Sequence, residues 1–187
     1  MNTKNNLSKV MVKAPKNGDL PELKLLNYSE MYDFVAKFIQ KVILIKDIDL
    51  TIANRTSLRV SIPKRPFILL CIEDIYDLPE LKTYIVDNQE ISLIQSEVMM
   101  NILFFGNEQI SSIELAEAFQ ARFNKGWATE QFAQYSKAFI PLYSNNLRVK
   151  PFCLGITDQL EDRCSVDAYF ELHPEIVEHS DNVKERD

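Results

Sequence analysis

Residues 94–123 read IQSEVMMNILFFGNEQISSIELAEAFQARF, and this stretch decides the fold class. Its first half alternates: Ile94, Val98, Met100, Ile102 and Phe104 fall on one face of a strand over 91–105, and Gln95, Glu97 and Asn101 on the other. Gly106 ends the strand. The period then changes to that of a helix, predicted from about Glu108 to Asn124. Leu115, Ala116, Phe119 and Phe123 form its apolar stripe, with Glu114 and Glu117 turned away. A strand, a glycine turn and an amphipathic helix make a packing unit, with no catalytic motif in it.

Outward from this unit, residues 28–45 form the clearest helix. Asn27 can cap it, with Glu30 three residues on, and Met31, Phe34, Val35, Phe38, Ile39 and Val42 share one face. Residues 47–62 alternate in two short runs, Ile48, Leu50, Ile52 and Leu58, Val60, Ile62, with Asn54 to Ser57 as a hairpin loop between them. Pro63 and Pro66 bracket Lys64 and Arg65 on an extended approach to an apolar strand, Phe67 to Ile72. Residues 74–90, with Pro79, several acids and Asn88, read as a long loop between strands. A short helix is predicted after Thr129, with Phe132, Tyr135, Ser136 and Phe139 inward. A strand follows at 147–156, placed at an edge or bulge by Pro151. The last strand runs from Arg163 to Leu172. Cys164, Val166, Ala168, Phe170 and Leu172 point inward, Arg163, Asp167 and Glu171 outward, and His173-Pro174 breaks it.

The elements add up to an α+β domain: a mostly antiparallel mixed sheet packed by two or three amphipathic helices. The expected organisation is a flexible N-terminal arm over 1–26, one domain over 27–175 and an acidic C-terminal tail over 176–187. The arm is basic, with Lys4, Lys9, Lys13, Lys16 and Lys24 against Asp19 and Glu22. The end of the chain carries Glu171, Glu175, Glu178, Asp181, Glu185 and Asp187.

Composition excludes several classes of function. The chain has 187 residues and a formal charge of −6, which argues against sequence-independent nucleic-acid binding. The longest apolar run is far shorter than the roughly 20 residues a membrane span needs, and the polar start does not resemble a signal peptide. Gly18, Gly106, Gly126 and Gly155 are isolated, so no loop can cradle a phosphate. Cys71, Cys153 and Cys164 form no CxxC pair and read as reduced, buried thiols of a protein assembled in the cytoplasm.

Catalytic constellations are thin. His173 and His179 are the only histidines and fall short of the three or four convergent ligands of a zinc site. Pairing His173 with Cys164 would require an inward thiol to act as nucleophile, where it stays protonated. Glu73, Asp74, Glu97 and Asp162 would have to converge for metal-assisted hydrolysis, yet Glu97 is followed by Val98 and Met99 with no lysine in place. No catalytic residue, cofactor or metal is assigned. The residues expected to meet partners are Glu161, Asp162 and Arg163, suited to charge pairing across a boundary, the lone Trp127, and Lys64 with Arg65.

The order of elements resembles the bacteriophage neck or tail-terminator proteins. The matching segments are the Pro-rich approach into a strand (Pro63 to Ile72), the strand ending in Phe-Gly before an Ala-bearing helix (Val98 to Phe123), and the acidic-Arg run into the last strand (Leu160 to Leu172). The resemblance covers roughly residues 28–175. The long arm before Asn27 and the length of the short-helix region depart from it. It implies a non-enzymatic virion protein: a ring, commonly a hexamer, that caps the tail tube and joins it to the head connector. The sheath would be a further neighbour, and genomic DNA would pass through the lumen without specific recognition. The ring implies heterologous contacts, with sheet edges and flanking arms as the natural surfaces. The alternatives are an adaptor or binding module and a small metal-dependent hydrolase or nuclease.

Overall fold

The computed structural model describes residues 22–24, 27–43, 51–54, 63–86, 89–149, 152–153, 160–173 and 175–179. The fold is α+β. In chain order the elements are β1 (Glu22–Lys24), α1 (Tyr28–Val42), β2 (Thr51–Asn54), β3 (Phe67–Val86), β4 (Gln89–Phe105), α2 (Ser112–Phe123), α3 (Gly126–Ala133), β5 (Phe139–Val149), β6 (Phe152–Cys153), β7 (Leu160–Glu161), β8 (Arg163–Leu172) and β9 (Glu175–His179). Among the described residues, no helix is long and apolar enough to cross a membrane.

Seven strands form one mixed sheet, and β6 with β7 forms a small separate ribbon. β3 and β4 are antiparallel partners along nearly their whole length, from Phe67 opposite Phe105 to Val86 opposite Gln89. β8 and β9 follow one another along the other edge of β4, β8 against Ser96–Phe105 and β9 against Gln89–Leu93. β5 flanks β8, and β1 flanks β9. Among the described residues β2 is the one parallel addition, lying beside the start of β3.

The sequence expectation for 74–90 is overturned. In place of a long loop, the backbone continues as strand to Val86, making a hairpin of 20 and 17 residues. Two register shifts, at Ile72/Asp74 and Asp77/Leu81, absorb the irregular residues. Pro79 lies within the second, where its missing N–H costs no ladder bond. At the first bulge the Ile72 N–H is taken by the Tyr32 hydroxyl (3.1 Å). Parts of the expected arm and tail also belong to the sheet, as β1 and β9, because the distal hairpin offers them an edge. Of the expected hairpin at 47–62, only Ile52 and its strand neighbours fall among the described residues, and they pair in parallel with β3.

α1 and α2 follow their caps. Asn27 and Glu30 form the expected capping box of α1, which ends at Val42. α2 starts at Ser112, four residues later than its period suggested. The Asn107 side chain accepts the Gln109 and Ile110 N–H groups (2.9 and 3.0 Å) in a turn, and Ser111 with Glu114 forms the capping box. α3 begins at Gly126, before Thr129, and ends at Ala133, so Phe139 opens β5 rather than lining a helix.

All three helices belong to one layer. α2 packs on β4, β5 and β8, α3 on β5, and α1 on the other two helices. The core between layers joins Phe38, Phe119, Phe123 and Phe132 to Ile68, Met100, Phe104, Val166 and Phe170, all nearly inaccessible to water. Phe38 meets the rings of Phe119, Phe123, Trp127 and Phe132 at centroid distances of 5.2–6.0 Å. Each of the fully buried side chains removes apolar area worth about 1.5–3 kcal/mol.

Candidate functional site

The sheet has a second face, which carries the alternate residues of each strand. Among the described residues no helix packs on it. Its rows follow from the register: Asp74, Met99, Tyr169 and Tyr143 across β3, β4, β8 and β5, then Cys71, Asn101, Asp167 and Asn145. Tyr143 stacks on Tyr169 at 4.6 Å. Tyr76 and Tyr143 are exposed, and Leu142 and Val149 are exposed along β5.

At the centre is Asp167, on the outward side of β8 as expected from the sequence, yet only 3% exposed. The register shift between Asn145 and Arg148 explains how a carboxylate is buried on a face that no helix among the described residues covers. It places Asn146 in the left-handed region (φ 53°), which Asn tolerates, and turns two side chains toward Asp167. Asn146 Nδ2 donates to Asp167 Oδ2 (3.0 Å), Arg148 Nη2 to the same oxygen (2.6 Å), and Asn101 Nδ2 to Oδ1 (2.7 Å). The carboxylate is thus neutralised and its acceptors are engaged. Beside it lies a depression of about 430 Å³ edged by Glu73, Met99, Leu103, Arg163 and Tyr169.

Of the six residues expected to meet partners, five gather at one end of the sheet. Arg65 pairs with Glu161 within the chain and lies over the Phe105 ring (5.8 Å), which is stacked on Phe67. Asp162 joins two elements: its carboxylate accepts the Ser112 N–H (2.8 Å) and hydroxyl (2.6 Å), and its carbonyl accepts the Gly106 N–H (3.2 Å). Arg163 is half-buried at the rim of the depression, and Lys64 is exposed. Trp127 lies apart, 41% exposed in the helix layer against Phe38.

The groups weighed for catalysis do not converge. Asp162 adjoins Gly106, nine residues along β4 from Glu97, roughly 30 Å at strand rise. Among the described residues no group of three or more His, Cys, Asp or Glu side chains could hold a metal. His173 bonds Glu171 (2.5 Å) at the opposite end of β8 from Cys164. Burial pushes the Cys164 thiol above its ordinary pKa, and burial first, then the Asp167 charge, does the same for Tyr169. Tyr76 is raised by its hydrogen bond to Asp74 and then by that carboxylate's charge. Raised values keep these groups protonated and poor as nucleophiles at neutral pH.

Two features escaped sequence reading, the Asp167 centre and the contact of Asn124 with Ser144. The one local signal for the first was Asn145-Asn146 in a strand, a pair that favours a bulge. Comparison with known proteins returned no matching family model and no matching curated sequence.

Proposed function

We propose that the chain is a structural protein of a bacteriophage neck, a tail terminator that assembles as a ring, caps the tail tube and joins it to the head connector. The observation that carries this reading is the shape of the sheet. One face is closed by helices. The other presents Tyr76, Tyr143 and a shallow polar depression, and the β3–β4 hairpin runs on to a distal half held by β1 and β9. A ring needs two different surfaces on each subunit, and a sheet with one face that no helix among the described residues covers, together with a long hairpin, supplies them. The carboxylate at its centre, Asp167, is tied to Asn101, Asn146 and Arg148, which suits a surface built to be covered more than one built to react. The net charge of −6 is compatible with a lumen through which DNA passes without being held.

The test is binding to polymerised tail-tube protein, imaged by negative stain and by co-sedimentation. Label confined to tube ends supports the reading. Label along the tube wall, or none, contradicts it. An adaptor acting as a monomer would use the same surfaces and would leave tube ends bare.

A further inference from the structure

β5 is the outermost strand on its side of the sheet. It pairs with β8, and among the described residues no strand lies on its other edge. Such an edge offers unpaired N–H and C=O groups to any extended chain. This one also carries Leu142, Tyr143 and Val149, exposed by 40, 43 and 52%.

The middle of the edge is filled by an amide side chain. The Ser144 N–H donates to Asn124 Oδ1 (2.6 Å), and Asn124 Nδ2 donates back to the Ser144 carbonyl (2.9 Å). One N–H given and one C=O accepted is how a residue of a neighbouring antiparallel strand engages its partner, and a carboxamide carries the same two groups as a peptide unit. The Ser144 hydroxyl adds a bond to Asn124 Oδ1 (3.1 Å), and Gln120 Nε2 reaches the same carbonyl (3.4 Å). Asn124 is the C-cap of α2, its own N–H bonded to the Gln120 carbonyl (3.2 Å), so the amide is held by a helix packed on this sheet. On either side the edge is irregular. Pro141 has no N–H to offer, the register shifts at Pro141/Tyr143 and Asn145/Arg148, and Asn146 is left-handed.

We infer that Asn124 guards this edge. Its amide stands in for a neighbouring strand at Ser144 and keeps β5 from pairing with a strand of a second copy, so that copies meet through other surfaces. The inference holds whether or not the chain forms a ring. If a ring forms, this edge is not its seam.

The experiment compares the full chain with Asn124→Ala and with Asn124→Ala combined with Leu142→Lys, by residue-resolved amide exchange and by native mass across concentration. Loss of about 1 kcal/mol of hydrogen bonding corresponds to Ser144 exchange roughly fivefold faster. Asn124→Ala is expected to show that increase, with the β8 amides unchanged. It should also associate into open-ended species absent from the unsubstituted chain. A charge at Leu142 should suppress that association, because it would lie in the new seam. Any ring-type association is present in the unsubstituted chain too, so only the difference between variants counts. Unchanged Ser144 exchange, unchanged mass, or association untouched by Leu142→Lys overturns the inference. If Asn124→Ala fails to fold, Asn124→Gly takes its place, since it removes the amide without adding a charge and suits a helix end. Association of that variant supports the guard, and a mass equal to the unsubstituted chain overturns it.

Discussion

Replacing Asp162 by Ala removes a staple between β8 and the start of α2. Its two carboxylate oxygens take the Ser112 N–H at 2.8 Å and the Ser112 hydroxyl at 2.6 Å. Ser112 is 0% exposed, so water cannot replace the acceptor without opening the helix start. A hydrogen bond to a charged group contributes about 1.5–3 kcal/mol, and a buried donor left without a partner costs a comparable amount. The two bonds share one carboxylate and are not additive, so the expected loss is about 3 kcal/mol. For a domain of this size each 1 kcal/mol moves Tm by about 2–4 °C, giving a fall of roughly 6–12 °C. The assay is urea unfolding followed by far-UV circular dichroism, with Asp162→Asn alongside. Asn keeps the volume but turns an N–H₂ toward one of two donors, so it should lose about 2 kcal/mol. A loss under about 1 kcal/mol for Asp162→Ala refutes the staple and returns Asp162 to the free surface, where a partner could use it.

Gly106→Ala should cost about 3 kcal/mol or more by the same assay, since a Cβ there would stand 2.0 Å from Asp162 Oδ2 and 2.6 Å from the Ser112 nitrogen. Combined with Asp162→Ala its effect should be less than the sum, because one clash is already gone. Phe38→Ala, fully buried among four rings, should lose about 3–5 kcal/mol, whereas the half-open Trp127→Ala should lose about 1–2 kcal/mol; equal losses in urea titrations would contradict the described core. Cys164 and Tyr169 both bind their protons more firmly folded than unfolded. Their contribution is therefore complete below the ordinary thiol and phenol values, 9.0 and 10.0, and drains away as pH rises through the raised folded ones. Unfolding midpoints should fall over that window, and the fall should shrink in Cys164→Ser and Tyr169→Phe; a flat alkaline limb would contradict this.

Local chemistry made much of the fold legible. The Asn27–Glu30 box, the stripe of α1, the alternation of β4 and β8 and the stripe of α2 are each written within a few residues, and each forms. The distal hairpin was not legible, because Pro79 and the acids around it carry the composition of a loop while the bulges that accommodate them depend on a partner strand. β5 was placed late for a similar reason: Phe139 fits the period of the preceding helix, and only the short α3 frees it. The Asp167 centre draws on residues 19, 21 and 66 positions away, and Arg65 meets Glu161 across 96. Such pairings depend on sheet register and leave no local pattern. The outward charges at Glu161, Asp162 and Arg163 were legible as charges, but not the structural work of Asp162 at Ser112.

The central claim, a ring-forming neck protein, is tested most directly by the native mass of the full chain, alone and mixed with tail-tube protein. A ring protein of the proposed kind should give a closed oligomer, six chains by the family resemblance, either in isolation or once the tube end is present. A single chain under both conditions would contradict it.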